Sequence, residues 1–142
     1  MMKTLLKTFL VSLLLGLGII TINGQCDNGN NIYPSTPYTP TPNAWSTASG
    51  NSWAGEVIPI NVRAGYEYQF STCGTYGGMT ARYDTQLSLY DDNRTNVAYN
   101  DDYSGCSTQS YIAWTATYDG VAYLRLNEYN CQSNQTATEV LI

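Results

Sequence analysis

Four acidic side chains in this sequence stand where a folded chain could use them together. They are Asp84, Asp101, Asp102 and Glu128, and each lies at the end of a segment with strand character. Carboxylate oxygens are hard ligands, and calcium takes about six to eight oxygens in irregular geometry. The four residues therefore predict a calcium site, and calcium is the one cofactor that the sequence suggests. The alternative is that the aspartates cap backbone amides beside turns, since no contiguous EF-hand loop is present.

A β-hairpin would bring three of these acids together. Polar and apolar residues alternate over residues 84–90, which is the period of a half-buried strand. Residues 91–96 are turn formers, and residues 97–99 lead back as a second short strand. A chain that folds in this way returns Asp101 and Asp102 to the end of the domain where Asp84 begins.

The same alternation continues through most of the chain. Strand-like stretches occupy residues 58–62, 66–70, 112–116, 122–126 and 136–142, and the Asp119-Gly120 pair predicts a hairpin between two of them. No stretch after the first 24 residues has helical periodicity. About seven short strands at this spacing predict an all-β fold, a single antiparallel β-sandwich domain over residues 55–142.

Residues 25–54 precede this domain as a polar, proline-rich arm. Its prolines favour an extended backbone, so the arm is predicted to be a semi-rigid spacer. They are Pro34, Pro37, Pro40 and Pro42. The last predicted strand ends on apolar Leu141 and Ile142. Two interpretations of that end stay open: the sequence is a fragment truncated at its C-terminus, or the strand finishes against a partner.

Residues 1–24 have the pattern of a secretory signal peptide. Lys3 and Lys7 are followed by an apolar run over residues 9–22, and Gly24 is a small residue at a plausible cleavage point. The apolar run is short for a membrane span, and a polar region follows it. The sequence therefore predicts a secreted protein, extracellular or at the cell surface, with no membrane segment after cleavage.

The charge of the chain after cleavage narrows its partners. Both lysines lie in the signal, which leaves four arginines against eleven acidic residues, a net charge of −7. Such a chain should repel nucleic acid and anionic lipid, and it suits divalent cations, basic partners or neutral glycans. The alternative is that the negative charge serves solubility alone. The chain also has no histidine, so Ser-His-Asp and Cys-His catalysis cannot be built. We therefore expect a protein that is not an enzyme; the remaining alternative is a hydrolase, which would require two facing carboxylates in a cleft.

The chain contains four cysteines, Cys26, Cys73, Cys106 and Cys131. An even number in an exported chain predicts two disulfides, with three possible pairings. A zinc site is the poorer interpretation, because there is no CxxC pair and no histidine. The strand directions gather all four cysteines at one end of the sandwich, and on that basis we predict the pairs Cys73–Cys106 and Cys26–Cys131.

Thirteen tyrosines and three tryptophans suggest a surface that binds a glycan or another polymer. Tyr111 and Tyr123 should face away from Trp114 and Leu124, so both are predicted to lie exposed on a sheet face, where flat rings can stack on a ligand. The competing interpretation is that aromatic residues simply favour strands and pack across them.

Several of these segments together resemble the bacterial pre-peptidase C-terminal domain family. The matching pieces are a GxxYxF strand, a DTxLxLYD strand, an NDD motif, a strand with a Ser-rich approach, and a final hairpin. They correspond to residues 65–70, 84–91, 100–102, 109–114 and 120–126. The resemblance implies a β-sandwich of the jelly-roll type that serves as a non-catalytic accessory module of secreted bacterial proteins. It also implies that binding of calcium or of an extracellular matrix polymer is possible.

Together these observations predict a secreted, non-catalytic accessory or adhesion module that binds an extracellular polymer or protein, with support from calcium. The alternative is a structural subunit of an extracellular filament or surface layer. In that case the proline-rich arm or the last strand would complete the sheet of a neighbouring copy, giving an oligomer or filament. The two differ in whether residues 33–42 and 137–142 pack on their own domain.

Overall fold

A computed structural model of the chain describes residues 26–27 and 31–142. The predicted signal peptide, residues 1–24, lies outside the described residues. The described residues form nine strands, in the order β1 (Asn31–Ile32), β2 (Thr47–Ser52), β3 (Glu56–Val62), β4 (Glu67–Ser71), β5 (Thr85–Tyr90), β6 (Asn96–Asn100), β7 (Tyr111–Thr115), β8 (Gly120–Glu128) and β9 (Thr138–Leu141). Short 3-10 turns occur at Gly74–Tyr76 and Tyr129–Cys131, and no α-helix is present in the described residues.

The strands form two sheets that pack face to face. One sheet has the order β1-β3-β8-β5-β6 and the other has the order β2-β9-β4-β7. Alternate residues of both sheets point inward and bury apolar side chains, which is the burial that holds such a sandwich together. The core includes Ile58, Ile60, Phe70, Leu87, Leu89, Leu124, Leu126 and Val140. The predicted all-β antiparallel sandwich is confirmed.

The β5–β6 hairpin forms as predicted, but the second predicted hairpin does not. β5 and β6 pair antiparallel, with Leu87 opposite Asn100. In contrast, β7 pairs with β4 in one sheet, while β8 pairs with β3 and β5 in the other. The Asp119-Gly120 turn therefore crosses between the sheets, and Asp119 Oδ1 accepts a hydrogen bond from the backbone N–H of Ala64 at 2.8 Å. The Asp-Gly pair determines the local backbone of the turn, but it does not determine which strand the following segment pairs with.

The proline-rich arm packs along the edge of the first sheet. β1 pairs with β3 in parallel, and Tyr38 bridges the same strand, with its N–H donating to Pro59 at 2.9 Å and its carbonyl accepting from Asn61 at 2.8 Å. The arm is shorter than predicted, because residues 47–52 form β2, an edge strand of the second sheet. Those residues are poor strand formers, and pairing with β9 supplies their hydrogen bonds.

The last strand also packs on its own domain. Ile142 exchanges two backbone hydrogen bonds of 2.9 Å with Ser46, and β9 pairs with β2 and, at Leu141, with β4. Both segments that could have been donated to a neighbouring copy are therefore in use. The packing of both segments on their own domain removes the motivation for the filament alternative, which itself stays a prediction.

The two disulfides join Cys26 to Cys131 and Cys73 to Cys106, with Cα–Cα distances of 5.2 and 5.7 Å. The predicted pairing is confirmed. Cys26 lies against the outer face of the first sheet, where its carbonyl accepts hydrogen bonds from Arg125 and Tyr90.

Two disulfides indicate an oxidising compartment. Within residues 26–27 and 31–142, no helix is long and apolar enough to span a membrane.

Candidate functional site

A buried polar network holds one end of the sandwich together. Thr72, just after β4, shares a 2.7 Å hydrogen bond with Thr85 at the start of β5. Ser110, just before β7, places its hydroxyl oxygen 2.5 Å from the Thr85 carbonyl oxygen and 2.7 Å from the Asp101 carbonyl oxygen, and its single O–H donates to one of the two at a time. All three hydroxyl residues are buried, so their bonds are made away from water. The network fixes the backbone on both sides of the acidic residues.

Asp84, Asp101 and Asp102 meet at this end, as the hairpin predicts. Each offers a carboxylate oxygen that lies within 4.8 Å of an oxygen from both of the others. Calcium–oxygen distances are about 2.3–2.6 Å, so two ligands on opposite sides of one ion are at most about 5 Å apart. The three side chains can therefore contact a single ion. Asp84 and Asp101 are half-buried, and Asp102 is exposed and faces solvent.

The hydrogen bonds of these aspartates differ from those of amide caps. Asp101 Oδ2 accepts from the side chain of Gln86 at 3.0 Å, and Gln86 Oε1 in turn accepts from the Cys131 N–H at 2.9 Å. Oδ1 of Asp84 and Oδ1 of Asp101 are shielded from solvent and have no hydrogen-bond partner among the described residues. A shielded carboxylate oxygen without a donor carries an uncompensated desolvation cost. A bound cation would offset that cost.

The electrostatics of the cluster are consistent with a shortage of positive charge. Burial raises the pKa of Asp84 above its ordinary value of 3.8, and the neighbouring charges of Asp101, Asp102 and Glu128 raise it further. Burial also raises the pKa of Tyr99, with Asp101 as the next cause. Both shifts have the sign expected where negative charges crowd a partly desolvated site.

Glu128 is not a member of the group, and its prediction as a fourth ligand is wrong. Its Oε2 accepts a hydrogen bond from the side chain of Asn134 at 2.9 Å, and the acids that lie within ligand distance of one another do not include it. Glu128 pairs with Thr85 across β8 and β5, one residue from Asp84. Side chains of neighbouring residues on a strand point to opposite faces, so Glu128 affects Asp84 through its charge alone.

Tyr111 belongs to a cluster of four aromatic rings beside the acidic group. Its ring centroid lies 4.6 Å from that of Tyr103 and 5.3 Å from that of Tyr76, and Trp45 stacks on Tyr76 at 4.7 Å. All four side chains are half-buried, so part of each ring faces solvent. We call Trp45, Tyr76, Tyr103 and Tyr111 the ring cluster.

Tyr123 does not share this surface with Tyr111. It lies on β8 in the other sheet, and the Arg94 guanidinium covers its ring at 3.5 Å from the centroid. Both tyrosines are half-buried rather than fully exposed, and they lie on different sheets, so they do not form one surface. The guanidinium occupies one face of the ring, and its attraction to the ring explains the placement.

The spacing of cysteines and tyrosines in the sequence could have indicated two further members of the ring cluster. Tyr76 follows Cys73 by three residues, and Tyr103 precedes Cys106 by three. The Cys73–Cys106 disulfide therefore brings two aromatic loops together over β7, where Tyr111 begins the strand. The position of Trp45 could not be predicted in this way, because it depends on how the arm packs on the domain.

The sequence comparisons identify a family and leave its role open. Residues 47–142, which span β2 to the end of the described sandwich, match the family described as a domain of unknown function, DUF8695. No curated protein and no solved structure shows significant similarity to the chain. The matched range contains the acidic group, the Cys73–Cys106 disulfide and three of the four rings. The chain belongs to the DUF8695 family.

Proposed function

We propose that this protein is a secreted, non-catalytic module that binds an extracellular polymer or protein through the ring cluster, with calcium held by Asp84, Asp101 and Asp102. The observation that carries the proposal is the direct link between the two features. Asp102 and Tyr103 are consecutive residues, so the loop that supplies two of the acids also supplies a ring of the cluster.

The loop that joins the two features is tied down at several points. Tyr103 donates its N–H to Gln109, and Cys106 donates its N–H to Tyr103, both at 2.9 Å. The disulfide to Cys73 fixes the same loop from the other side. A cation bound by the aspartates would remove the repulsion at the start of this loop and hold Tyr103 against Tyr111. When bound, calcium supplies positive charge and no chemical step.

The surface favours a ligand without strong negative charge. The chain after signal cleavage carries a net charge of −7, so a polyanion would be repelled. The four rings offer flat apolar area, with polar hydroxyl tips on the three tyrosines, which suits sugar faces and extended protein segments. Kinship with the pre-peptidase C-terminal domains, including their jelly-roll topology, is part of the proposal and rests on the DTQLSLYD and NDD segments.

The experiment is a pull-down of residues 25–142 on insoluble chitin, insoluble cellulose and gelatin-agarose, each in calcium and in EDTA. We expect one of these matrices to retain the protein in calcium, and retention to fall several-fold in EDTA. Tyr111→Ala should weaken binding about fivefold or more, as loss of a central aromatic anchor does. Tyr123→Ala is the matched control, because it removes an outward tyrosine of the other sheet.

Two results would refute the proposal. Equal losses for Tyr111→Ala and Tyr123→Ala would show that the ring cluster is not the binding surface. Calorimetric titration that detects no calcium binding at millimolar concentration would remove the ion from the proposal, since extracellular modules bind calcium with dissociation constants of about 10⁻⁴ to 10⁻³ M.

A further inference from the structure

The short 3-10 turn that follows β8 contacts both of the half-buried aspartates of the acidic group. The Tyr129 N–H donates to the backbone carbonyl of Asp84 at 2.9 Å. The Cys131 N–H donates to Gln86 Oε1 at 2.9 Å, and Gln86 Nε2 donates to Asp101 Oδ2 at 3.0 Å. One turn therefore reaches the backbone of one aspartate directly and the side chain of the other through a single residue.

Gln86 has both ends of its side-chain amide engaged. The residue is 5% exposed, so these hydrogen bonds are made away from water. The amide has an acceptor oxygen and a donor NH2 group on opposite sides. Because the Cys131 N–H holds the oxygen, the NH2 group faces the other way, where it donates to Asp101 and to the Tyr99 hydroxyl, both at 3.0 Å. The position of the turn therefore determines the orientation of the amide that holds Asp101.

The Cys26–Cys131 disulfide ties this turn to the first sheet. Cys26 is buried, its N–H donates to Ser88 Oγ at 3.3 Å, and its carbonyl accepts from Arg125 at 2.6 Å. Within the turn, Asn130 and Cys131 have φ angles of 59° and 57°. Left-handed backbone is unfavourable for residues other than glycine and persists where surrounding contacts impose it. The covalent bond to Cys26 is one such constraint, so the turn should relax when the bond is broken.

This disulfide is also the more accessible of the two. Cys131 is half-buried, whereas the other three cysteines are buried. Thiol–disulfide exchange requires access of a thiolate to a sulfur, and exposed bridges are the ones that respond to the redox environment. A dithiol should therefore open this bridge first and leave Cys73–Cys106 closed.

We infer that Gln86 couples the Cys26–Cys131 disulfide to the position of the Asp101 carboxylate, so that opening the bridge alters the acidic group. The reaction is exchange with a dithiol: the S–S bond breaks, the two sulfurs gain two electrons and two protons to become thiols, and the dithiol is oxidised to its own disulfide. The Cys131 N–H then leaves Gln86 Oε1, and the amide is free to rotate away from Asp101.

The effect on calcium affinity rests on the calcium site proposed above. Residues that orient metal ligands without contacting the ion typically change affinity about 10–100-fold when they are replaced. We therefore expect calcium to bind about ten times more weakly once the bridge is open. Coupling between two equilibria is reciprocal, so calcium should make the bridge harder to reduce by the same factor. A tenfold factor corresponds to about 30 mV for this two-electron couple.

The first test needs no calcium. Residues 25–142 with 15N labelling are compared in EDTA with Cys26→Ser/Cys131→Ser, which lacks the bridge. We expect the side-chain NH2 signals of Gln86 to shift and to exchange with solvent about ten times faster or more in the variant. Ser88→Ala is the matched control, because it removes a contact of Cys26 on the same strand and keeps the hydrogen bonds of Gln86. Unchanged Gln86 signals in the bridge variant would overturn the inference.

The second test uses the native cysteines, so it does not depend on the folding of a cysteine variant. Residues 25–142 are equilibrated in dithiothreitol redox buffers, in EDTA or in calcium at a concentration that saturates both forms. Alkylation of free thiols and peptide mapping then give the reduced fraction of each bridge. We expect the midpoint of Cys26–Cys131 to be about 30 mV lower in calcium. In Gln86→Leu, which keeps the bridge and all three aspartates, the shift should be about 9 mV or less, a twofold change.

The outcomes separate this inference from the calcium site itself. An equal calcium shift in Gln86→Leu would overturn the inference, because the bridge and the site would then be coupled through overall folding alone. Calcium binding by the oxidised wild type without any shift of the midpoint would overturn the inference and leave the calcium site standing. Absence of calcium binding by the oxidised wild type would overturn both.

Discussion

Asp84→Asn tests the acidic cluster because its effect on stability should change sign with calcium. Without a divalent cation, Asp84 repels Asp101 and Asp102 across at most 4.8 Å. In a water-like dielectric each such pair costs about 0.9 kcal/mol, and salt reduces that figure. The substitution removes two pairs, so the variant should be about 1–2 kcal/mol more stable than the wild type in EDTA.

Calcium should reverse this order. An ion at a hundred times its dissociation constant stabilises the folded state by about 2.7 kcal/mol. The wild type should receive most of that gain, whereas the variant has lost one of three anionic ligands and should receive little. The variant should therefore melt roughly 4–8 °C above the wild type in EDTA and several degrees below it in calcium.

The measurement is differential scanning calorimetry of both proteins in EDTA and in 10 mM calcium, at about neutral pH. Asp92→Asn is the matched control, because Asp92 is an exposed aspartate of the β5–β6 turn at the opposite end. It should change stability by less than about 0.5 kcal/mol in either buffer. A lower Tm for Asp84→Asn in EDTA, or equal calcium shifts for all three proteins, would refute the reasoning.

The same variant predicts a pH dependence. The raised pKa of Asp84 means that the folded state holds this proton more tightly than the unfolded state does. Its contribution to stability is therefore fully present below the ordinary value of 3.8 and is lost as the pH rises through the raised value. The advantage of Asp84→Asn in EDTA should vanish at pH values below 3.8 and appear above it.

Two further predictions concern the sandwich itself. Replacing both cysteines of the Cys26–Cys131 bridge by serine should lower the free energy of unfolding by about 4.8 kcal/mol, and the same change at Cys73–Cys106 should lower it by about 3.7 kcal/mol. The difference arises because the two bridges close loops of 105 and 33 residues. Urea denaturation measures both losses, and a larger loss from the shorter loop would contradict the prediction. Leu124→Ala should cost about 2–5 kcal/mol by the same assay, because the side chain is fully buried; a cost below 1 kcal/mol would show that the core repacks.

The end of the sandwich that holds the acids was predictable because local patterns determine it. Alternation in β5, the turn that follows it and the hairpin geometry together place Asp101 and Asp102 beside Asp84. The same strand directions bring the cysteines together in the observed pairs.

The parts that sequence did not predict depend on tertiary partners. β2 reads TASGNS, which has little strand preference, and it forms because β9 lies beside it. The outward faces of Tyr111 and Tyr123 followed from alternation, but their separation into two sheets did not. Glu128 was placed at the correct end of β8, and the face on which it lies depended on the exact strand register.

The path of the arm has a consequence for any shortened form of this protein. Residues 31–38 cover the outer edge of β3, a strand whose residues from Val57 to Ile60 are buried. An uncovered apolar edge of that kind is a template for aggregation. A protein cut back to residues 47–142, the range that the family shares, would expose it. We therefore expect the proline-rich segment to protect the protein from edge-to-edge aggregation, and a protein without it to be less soluble.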